Sequence, residues 1–340
     1  MFRWHKVFKL RLLRRTAFVS VISAFGLLKI SAGPALCAPA VSENFSLDTG
    51  DSSHSISFDS GQRAFLVHKP AAIAPHDKVA LLLAFHGGGG TAKGMPRLTD
   101  LNALADKEKI VVVYPQGIDK HWNDGRPVND KANCDDVGFI RSLIDVLSKD
   151  PNIDPKRIYV TGMSNGGFFC ERLVLEMPDK IAGAAVVVAG ITKELAALEH
   201  GQSPVPMLFI LGTDDPIVPF KGGGVGFLHG RGHVEAASET EKFWATHNRC
   251  RRDAVASELP VRDAKDPTRV KKTVHRPQQD GADVVFLTVD GGGHTWPSGH
   301  QYLPKDIVGR VCHQISDDDI WQFLSSPHLP ATSIHDLVQP

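Results

Sequence analysis

Apolar residues in this chain come in two kinds of run, which alternate. Val79 to Phe85 (VALLLAF), Ile110 to Tyr114 (IVVVY), Ala184 to Val188 (AAVVV) and Met207 to Leu211 (MLFIL) are short and uninterrupted by polar residues. Such runs read as strands buried on both faces, as in the middle of a parallel sheet. Arg157 to Thr161 (RIYVT) is β-branched and aromatic and reads the same way. Between these strands, Leu98 to Lys109, Phe168 to Met177 and Val234 to His247 have helix-forming composition, and Val137, Ile140, Ile144 and Leu147 recur at helical spacing behind the acids Asp135 and Asp136. The alternation predicts right-handed crossovers and a mostly parallel, doubly wound α/β sheet with helices on both faces. Arg63 to His68 reads as an edge strand. Val270 to Val274 and Val284 to Val289 read as two strands around an Asp280-Gly281 turn, and Ser316 to Asp319 caps a last helix containing Trp321 and Phe323. Residues 41–60 are polar and read as an irregular lead-in, which leaves one domain over 61–326 and a short tail over 327–340.

Residues 1–40 carry a different signal. Every charged residue from Met1 to Cys37 is basic: Arg3, Lys6, Lys9, Arg11, Arg14, Arg15 and Lys29. The apolar run Ala17 to Leu28 follows, then small residues up to Ala40, the pattern of an export signal with cleavage near Cys37 to Ala40. The run is too short for a membrane span, so no integral span is expected in the mature chain and the protein is expected to be secreted or periplasmic. Arg14-Arg15 would also suit twin-arginine export. Lipidation of Cys37 fits poorly, because the bulky Leu36 precedes it. Taking these seven basic residues from a chain with 38 basic and 38 acidic ones leaves an acidic excess of seven, which argues against nucleic acid or an anionic membrane as partner.

Past that segment lie Cys134, Cys170, Cys250 and Cys312. Four cysteines in an exported chain permit two disulfides in any of three pairings, and Cys170 fits a small core residue equally well. Their spacing does not suit zinc. His229 and His233 have a metal-like interval, but the glycines between them disfavour the helix that would align both rings. No metal is expected there.

The candidate chemistry starts at Gly162-Met163-Ser164-Asn165-Gly166, between the RIYVT strand and the following helix. A serine on such a strand-to-helix turn projects its Oγ above the sheet edge, and flanking glycines let strand and helix approach. The Asn165 N–H then points to where an oxyanion would form. His86-Gly87-Gly88-Gly89-Gly90 follows the VALLLAF strand directly, and Gly88, with Gly89 next in line, is the candidate for the second oxyanion donor. An acid and a histidine should follow at later strand ends. Asp214 and Asp215 follow the MLFIL strand, and Asp215, just before Pro216, is preferred; His294 follows the last strand in GGGHTWP. None of His300, His313, His328 and His335 has that setting. These residues predict acyl transfer: His294 as base to Ser164, Asp215 orienting the ring, and Gly88 and Asn165 binding the oxyanion. Trp122, in the loop His121 to Arg126, either lines a substrate pocket or covers the core.

With these motifs in place, the chain resembles the secreted polyhydroxybutyrate depolymerase and feruloyl esterase family of α/β-hydrolases over roughly Gly61 to Leu324. The resemblance rests on HGGGG (86–90), VVYPQG and HWNDGR (112–126), DDVGFIRSLID (135–145), RIYVTGMSNGG (157–167), GTDDPIVP (212–219) and GGGHTWP (291–297). It implies a serine esterase that needs no metal or organic cofactor, with Ser164, Asp215 and His294 as triad and Trp296 shaping the substrate pocket. This chain shows no added polymer-binding domain, which points to a soluble feruloyl, acetyl or short hydroxyalkanoate ester as substrate. An acyltransferase with the same triad is the nearest alternative. A non-catalytic binding protein on this fold would usually lack a triad member.

Overall fold

The computed structural model describes residues 46–128, 134–198, 203–227 and 230–326. The run Val79–Phe85 is buried at every position, and its period of two decides where each side chain goes. Val79, Leu81, Leu83 and Phe85 join one core layer; Ala80, Leu82 and Ala84 join the layer on the opposite face. A strand that looks uniformly apolar thus serves two cores.

The strands are β1 (Gly50–Phe58), β2 (Gly61–Lys69), β3 (Val79–Phe85), β4 (Val111–Pro115), β5 (Ile153–Met163), β6 (Gly183–Val187), β7 (Met207–Gly212), β8 (Gly223–Gly224), β9 (His233–Val234), β10 (Cys250–Glu258), β11 (Arg269–Pro277) and β12 (Val284–Asp290). Ten of them form one sheet in the order β1-β2-β4-β3-β5-β6-β7-β12-β11-β10, while β8 and β9 pair separately. From β4 to β12 every neighbour is parallel. The flanking pairs β1–β2, β2–β4, β12–β11 and β11–β10 are antiparallel.

The helices are α1 (Met95–Leu98), α2 (Leu101–Glu108), α3 (Asp136–Leu147), α4 (Asn165–Glu176), α5 (Lys193–Ala196), α6 (Ala237–His247), α7 (Lys305–Val308) and α8 (Asp317–Ser325). Apolar residues of α3, α4 and α6 pack into the Phe85 layer, and those of α2 and α8 into the Leu82 layer. This is the α/β-hydrolase arrangement, a mostly parallel sheet with helices on both faces. Local chemistry sets the helix ends. Asp135 accepts from the Gly138 N–H at 2.7 Å to start α3, Ser316 and Asp319 form a reciprocal capping box on α8, and Lys109 closes α2 in the left-handed region at φ 53°. None of the helices is long and apolar enough to cross a membrane among the described residues.

Two expectations change. The stretch read as an irregular lead-in holds β1, an edge strand whose only buried residue is Ile56. No strand was expected at β10, of which only Cys250 is buried. Strands that bury almost nothing carry no burial period to read. The four cysteines sit among different partners: Cys134 beside Asp136, Cys170 in the core, Cys250 against the carbonyls of His275 and Ala282, and Cys312 beside Thr268. The disulfides that the sequence permits are not confirmed by these surroundings. The export segment, the tail and His229 lie outside the described residues.

Candidate active site

Ser164 sits between β5 and α4 at φ 54° and ψ −123°, a conformation that an L-residue adopts only when its surroundings force it. The surroundings are backbone on both sides. A Cβ on Gly166 would lie 2.4 Å from the Phe85 carbonyl oxygen, and one on Gly162 would lie 2.6 Å from Gly166. Glycine at these two positions lets β3, β5 and α4 converge, and the serine is held at the tip of the turn.

Asp215 follows β7 and is buried. Its Oδ1 accepts the N–H groups of Ile217 and Val218, both at 2.8 Å. Its Oδ2 lies 2.7 Å from Nδ1 of His294, which follows β12 and is 3% exposed. The neighbouring Asp214 is exposed, and its N–H donates to the Gly292 carbonyl. Of the two adjacent acids, only Asp215 meets the imidazole. The His294 N–H donates to the Val308 carbonyl at 2.6 Å, and the Tyr302 hydroxyl donates to the His294 carbonyl at 3.0 Å, which fixes the backbone from two sides.

The glycine loop after β3 is braced by His86. Its Nδ1–H donates to the Gly87 carbonyl at 2.9 Å, and its Nε2 accepts the Gly117 N–H at 3.0 Å. Burial pushes its pKa down to about 4, so the ring is neutral and fits both roles. Within the loop, the Gly89 N–H donates to the Lys120 carbonyl and that of Gly90 to the Gly87 carbonyl, both at 2.9 Å. The N–H groups of Gly88 and Asn165 have no partner among the described residues. Gly89, second in line as an oxyanion donor, is therefore already engaged.

The loop His121 to Arg126 clamps the start of α4. The Asn165 side chain accepts the Trp122 N–H at 2.8 Å and donates to the Trp122 carbonyl at 3.0 Å and to Asp124 at 2.6 Å. Asp124 is paired with Arg126, whose guanidinium lies 4.0 Å above the Phe168 ring. Asp136 accepts the Asn123 N–H at 2.7 Å and pairs with Arg63 at 2.6 Å, tying this loop to α3 and β2. The sequence reading singled out neither Asp124 nor the Asn165 side chain. Their signal was a run of small polar residues around one tryptophan, which is also how an ordinary turn looks.

Ser164 and His294 line one cavity of about 500 Å³, together with Gly87, Gly88, Met95, Leu98, Phe227, Tyr302 and Leu303. A smaller pocket of about 40 Å³ adjoins it at Ser164, sharing Gly88, Ile217 and Arg231 and lined also by His121, Trp122 and Asn165. Trp122 is 2% exposed, stacks on Phe169 and donates to the His86 carbonyl at 3.0 Å. It is mostly core cover, with one edge on the small pocket. Trp296 does not line the large cavity. It is fully buried, and its indole N–H donates to Asp317 at 2.7 Å. The chain turns inward after His294, so the side chain two positions on packs toward α8.

Behind the serine, Glu171 of α4 is fully buried. Its Oε2 accepts the Trp244 indole N–H at 2.7 Å, its Oε1 has no partner, and burial pushes its pKa up to about 8. Nothing in the pattern of α4 distinguished this acid from a solvent-facing one. Among the described residues, no group of three His, Cys, Asp or Glu is placed to hold a metal ion.

Comparison with known proteins adds the following. No protein-family model matches the chain. A protein of Nocardia uniformis subsp. tsuyamanensis named as an esterase, NocK, is 32% identical over 271 residues, covering 76% of this chain and 77% of that protein. Feruloyl esterase B of Piromyces equi is 26% identical over 246 residues, which cover 70% of this chain but 43% of that longer protein. The solved structure of an acetyl xylan esterase from Aspergillus awamori superposes with a TM-score of 0.53 at 14% identity, over 80% of this chain and 98% of that one; at that identity the likeness supports the fold.

Proposed function

The chain belongs to the α/β-hydrolase serine esterases that include the feruloyl esterases and polyhydroxyalkanoate depolymerases, and on that premise we propose that it is an exported carboxylic-ester hydrolase working through an acyl-enzyme on Ser164. The observation that carries this reading is the Asp215–His294 hydrogen bond of 2.7 Å at the wall of the cavity that Ser164 enters. With Nδ1–H donated to Asp215, His294 presents Nε2 as a base. It takes the Ser164 proton as Oγ attacks the ester carbonyl, and the charge that develops on the carbonyl oxygen is met by the Gly88 and Asn165 N–H groups. The imidazolium returns its proton to the departing alcohol. Water then repeats the sequence, activated by the same ring, and frees the acid and Ser164. These steps require no metal or organic cofactor.

The substrate reading follows from the cavity wall. Met95, Leu98, Phe227, Tyr302 and Leu303 give it a mainly apolar, partly aromatic wall, on which Arg231 also stands; such a wall suits a feruloyl, acetyl or short hydroxyalkanoate acyl group. Export rests on the basic and apolar pattern of residues 1–40. The test is an ester panel of ferulate, acetate and 3-hydroxybutyrate oligomers, run on the purified protein and on Ser164→Ala. Wild type should cleave at least one, and the variant none. If the variant matches wild type throughout, the mechanism is wrong. Cell fractionation with and without residues 1–40 tests export.

A further inference from the structure

The pocket of about 40 Å³ beside Ser164 shares Gly88, Ile217 and Arg231 with the large cavity and adds His121, Trp122, Asn165 and Arg126. A Cβ on Gly88 would lie 3.1 Å from Arg231 Nη1 and 3.2 Å from His121 Nε2. A guanidinium and an imidazole nitrogen therefore converge at the same point of the loop next to the nucleophile. His121 is buried at its free nitrogen, whereas Arg231 is exposed to solvent. His121 Nε2 is buried with no hydrogen bond, and its Nδ1 is engaged by the Asp119 carbonyl at 2.9 Å. The Arg231 guanidinium has no carboxylate partner among the described residues, whereas the adjacent Arg126 is paired with Asp124. His121 Nε2 is thus a buried polar atom that nothing inside the protein satisfies.

Resting on the esterase reading above, we propose that Arg231 and His121 form a subsite for a free carboxylate of the substrate. The preferred esters then carry an anionic group within a few bonds of the scissile carbonyl. Chemistry and size agree on the ligand. With Nδ1 donating to a carbonyl, only the cationic ring shows a second hydrogen at Nε2, and an anion matches that form. A guanidinium offers a planar fork that fits two carboxylate oxygens. One water needs about 10–15 Å³ of such space, so the pocket takes a carboxylate but no sugar or aryl ring.

The test uses two matched pairs of esters on the full chain. One is 4-nitrophenyl hemiglutarate against its methyl-capped form, with the carboxylate on the acyl side, read as nitrophenolate release. The other is 3-acetoxybutyrate against its methyl ester, with the carboxylate on the alcohol side, read as acetate release. In one pair, wild type should favour the anion by about tenfold in kcat/KM. Arg231→Gln and His121→Gln should each remove most of that ratio, and Arg231→Lys should keep part of it. No preference in either pair overturns the subsite. So do equal falls on charged and capped esters, which would assign both residues to the common oxyanion or to the loop. If none of the four esters is cleaved while a member of the ferulate, acetate and hydroxybutyrate panel is, the subsite alone fails; if neither set is cleaved, the esterase reading fails and the subsite fails with it.

Discussion

Two buried carboxylates, Asp215 in the loop after β7 and Glu171 in the middle of α4, are supplied very differently. Asp215 accepts two backbone N–H groups at 2.8 Å and meets His294 at 2.7 Å. Glu171 has one indole donor at 2.7 Å and a bare oxygen, and burial lifts its pKa to about 8. Backbone position accounts for the contrast. A loop at a strand end has N–H groups to spare and folds them around a carboxylate. A helix interior has already given every N–H to the carbonyl four residues back. An acid at a strand end is thus equipped to orient an imidazole, whereas one inside a helix is kept as a neutral group.

The sharpest way to break this contrast is to replace each acid by its amide. Asp215→Asn should lower kcat on the order of 10⁴-fold, because the amide no longer selects the His294 tautomer that leaves Nε2 free. Retention of more than a tenth of the wild-type kcat would remove Asp215 from the mechanism. Glu171→Gln should act on stability against pH. The Glu171 pKa is raised from 4.5 to about 8, so the folded state holds this proton more tightly than the unfolded chain. Its contribution is full below pH 4.5 and is lost as pH rises through 8, a change on the order of 5 kcal/mol. Wild-type Tm should carry a component that declines from pH 5 to 8, and the glutamine variant should lack it. Parallel Tm curves for the two proteins would mean that Glu171 is charged in the fold.

What could be read from the sequence divides along the same physical line. Strands buried on both faces announce themselves, and β3 begins and ends where its apolar run does. The edge strands β1 and β10 bury one residue each and leave no trace. Ser164, Asp215 and His294 could be proposed because each follows a buried strand, and the structure brings the last two into contact. Features that depend on which way a side chain turns were hidden. Arg231 lies in a glycine-rich loop that looks like a spacer, and Glu171 occupies a helix position where an acid usually faces water. Trp296 illustrates the same limit, since its nearness to His294 in the chain suggested a shared cavity and the backbone turn separates them.

The smallest effect concerns that tryptophan. Asp317 stands between the two carboxylates of the opening contrast: it accepts the Trp296 indole N–H at 2.7 Å and the Asp100 N–H at 2.8 Å, and burial lifts its pKa to about 6. Trp296→Phe removes one of the two donors and should cost about 1–3 kcal/mol at pH 7, where Asp317 is ionised and the lost bond is to a charge. At pH 5 the carboxyl is protonated and less demanding, so the loss should be smaller. The sign follows from the raised pKa, because stability tied to the Asp317 proton is full below 3.8 and is lost as pH rises through 6. Without the indole that loss should extend to higher pH. Urea denaturation of both proteins at pH 5 and 7 measures the difference, and kcat/KM on a neutral ester measured alongside should stay within about twofold, as expected of a packing change away from the cavity. A larger fall in kcat/KM than in stability would return Trp296 to the substrate pocket, and the inward turn after His294 would then not describe the working enzyme.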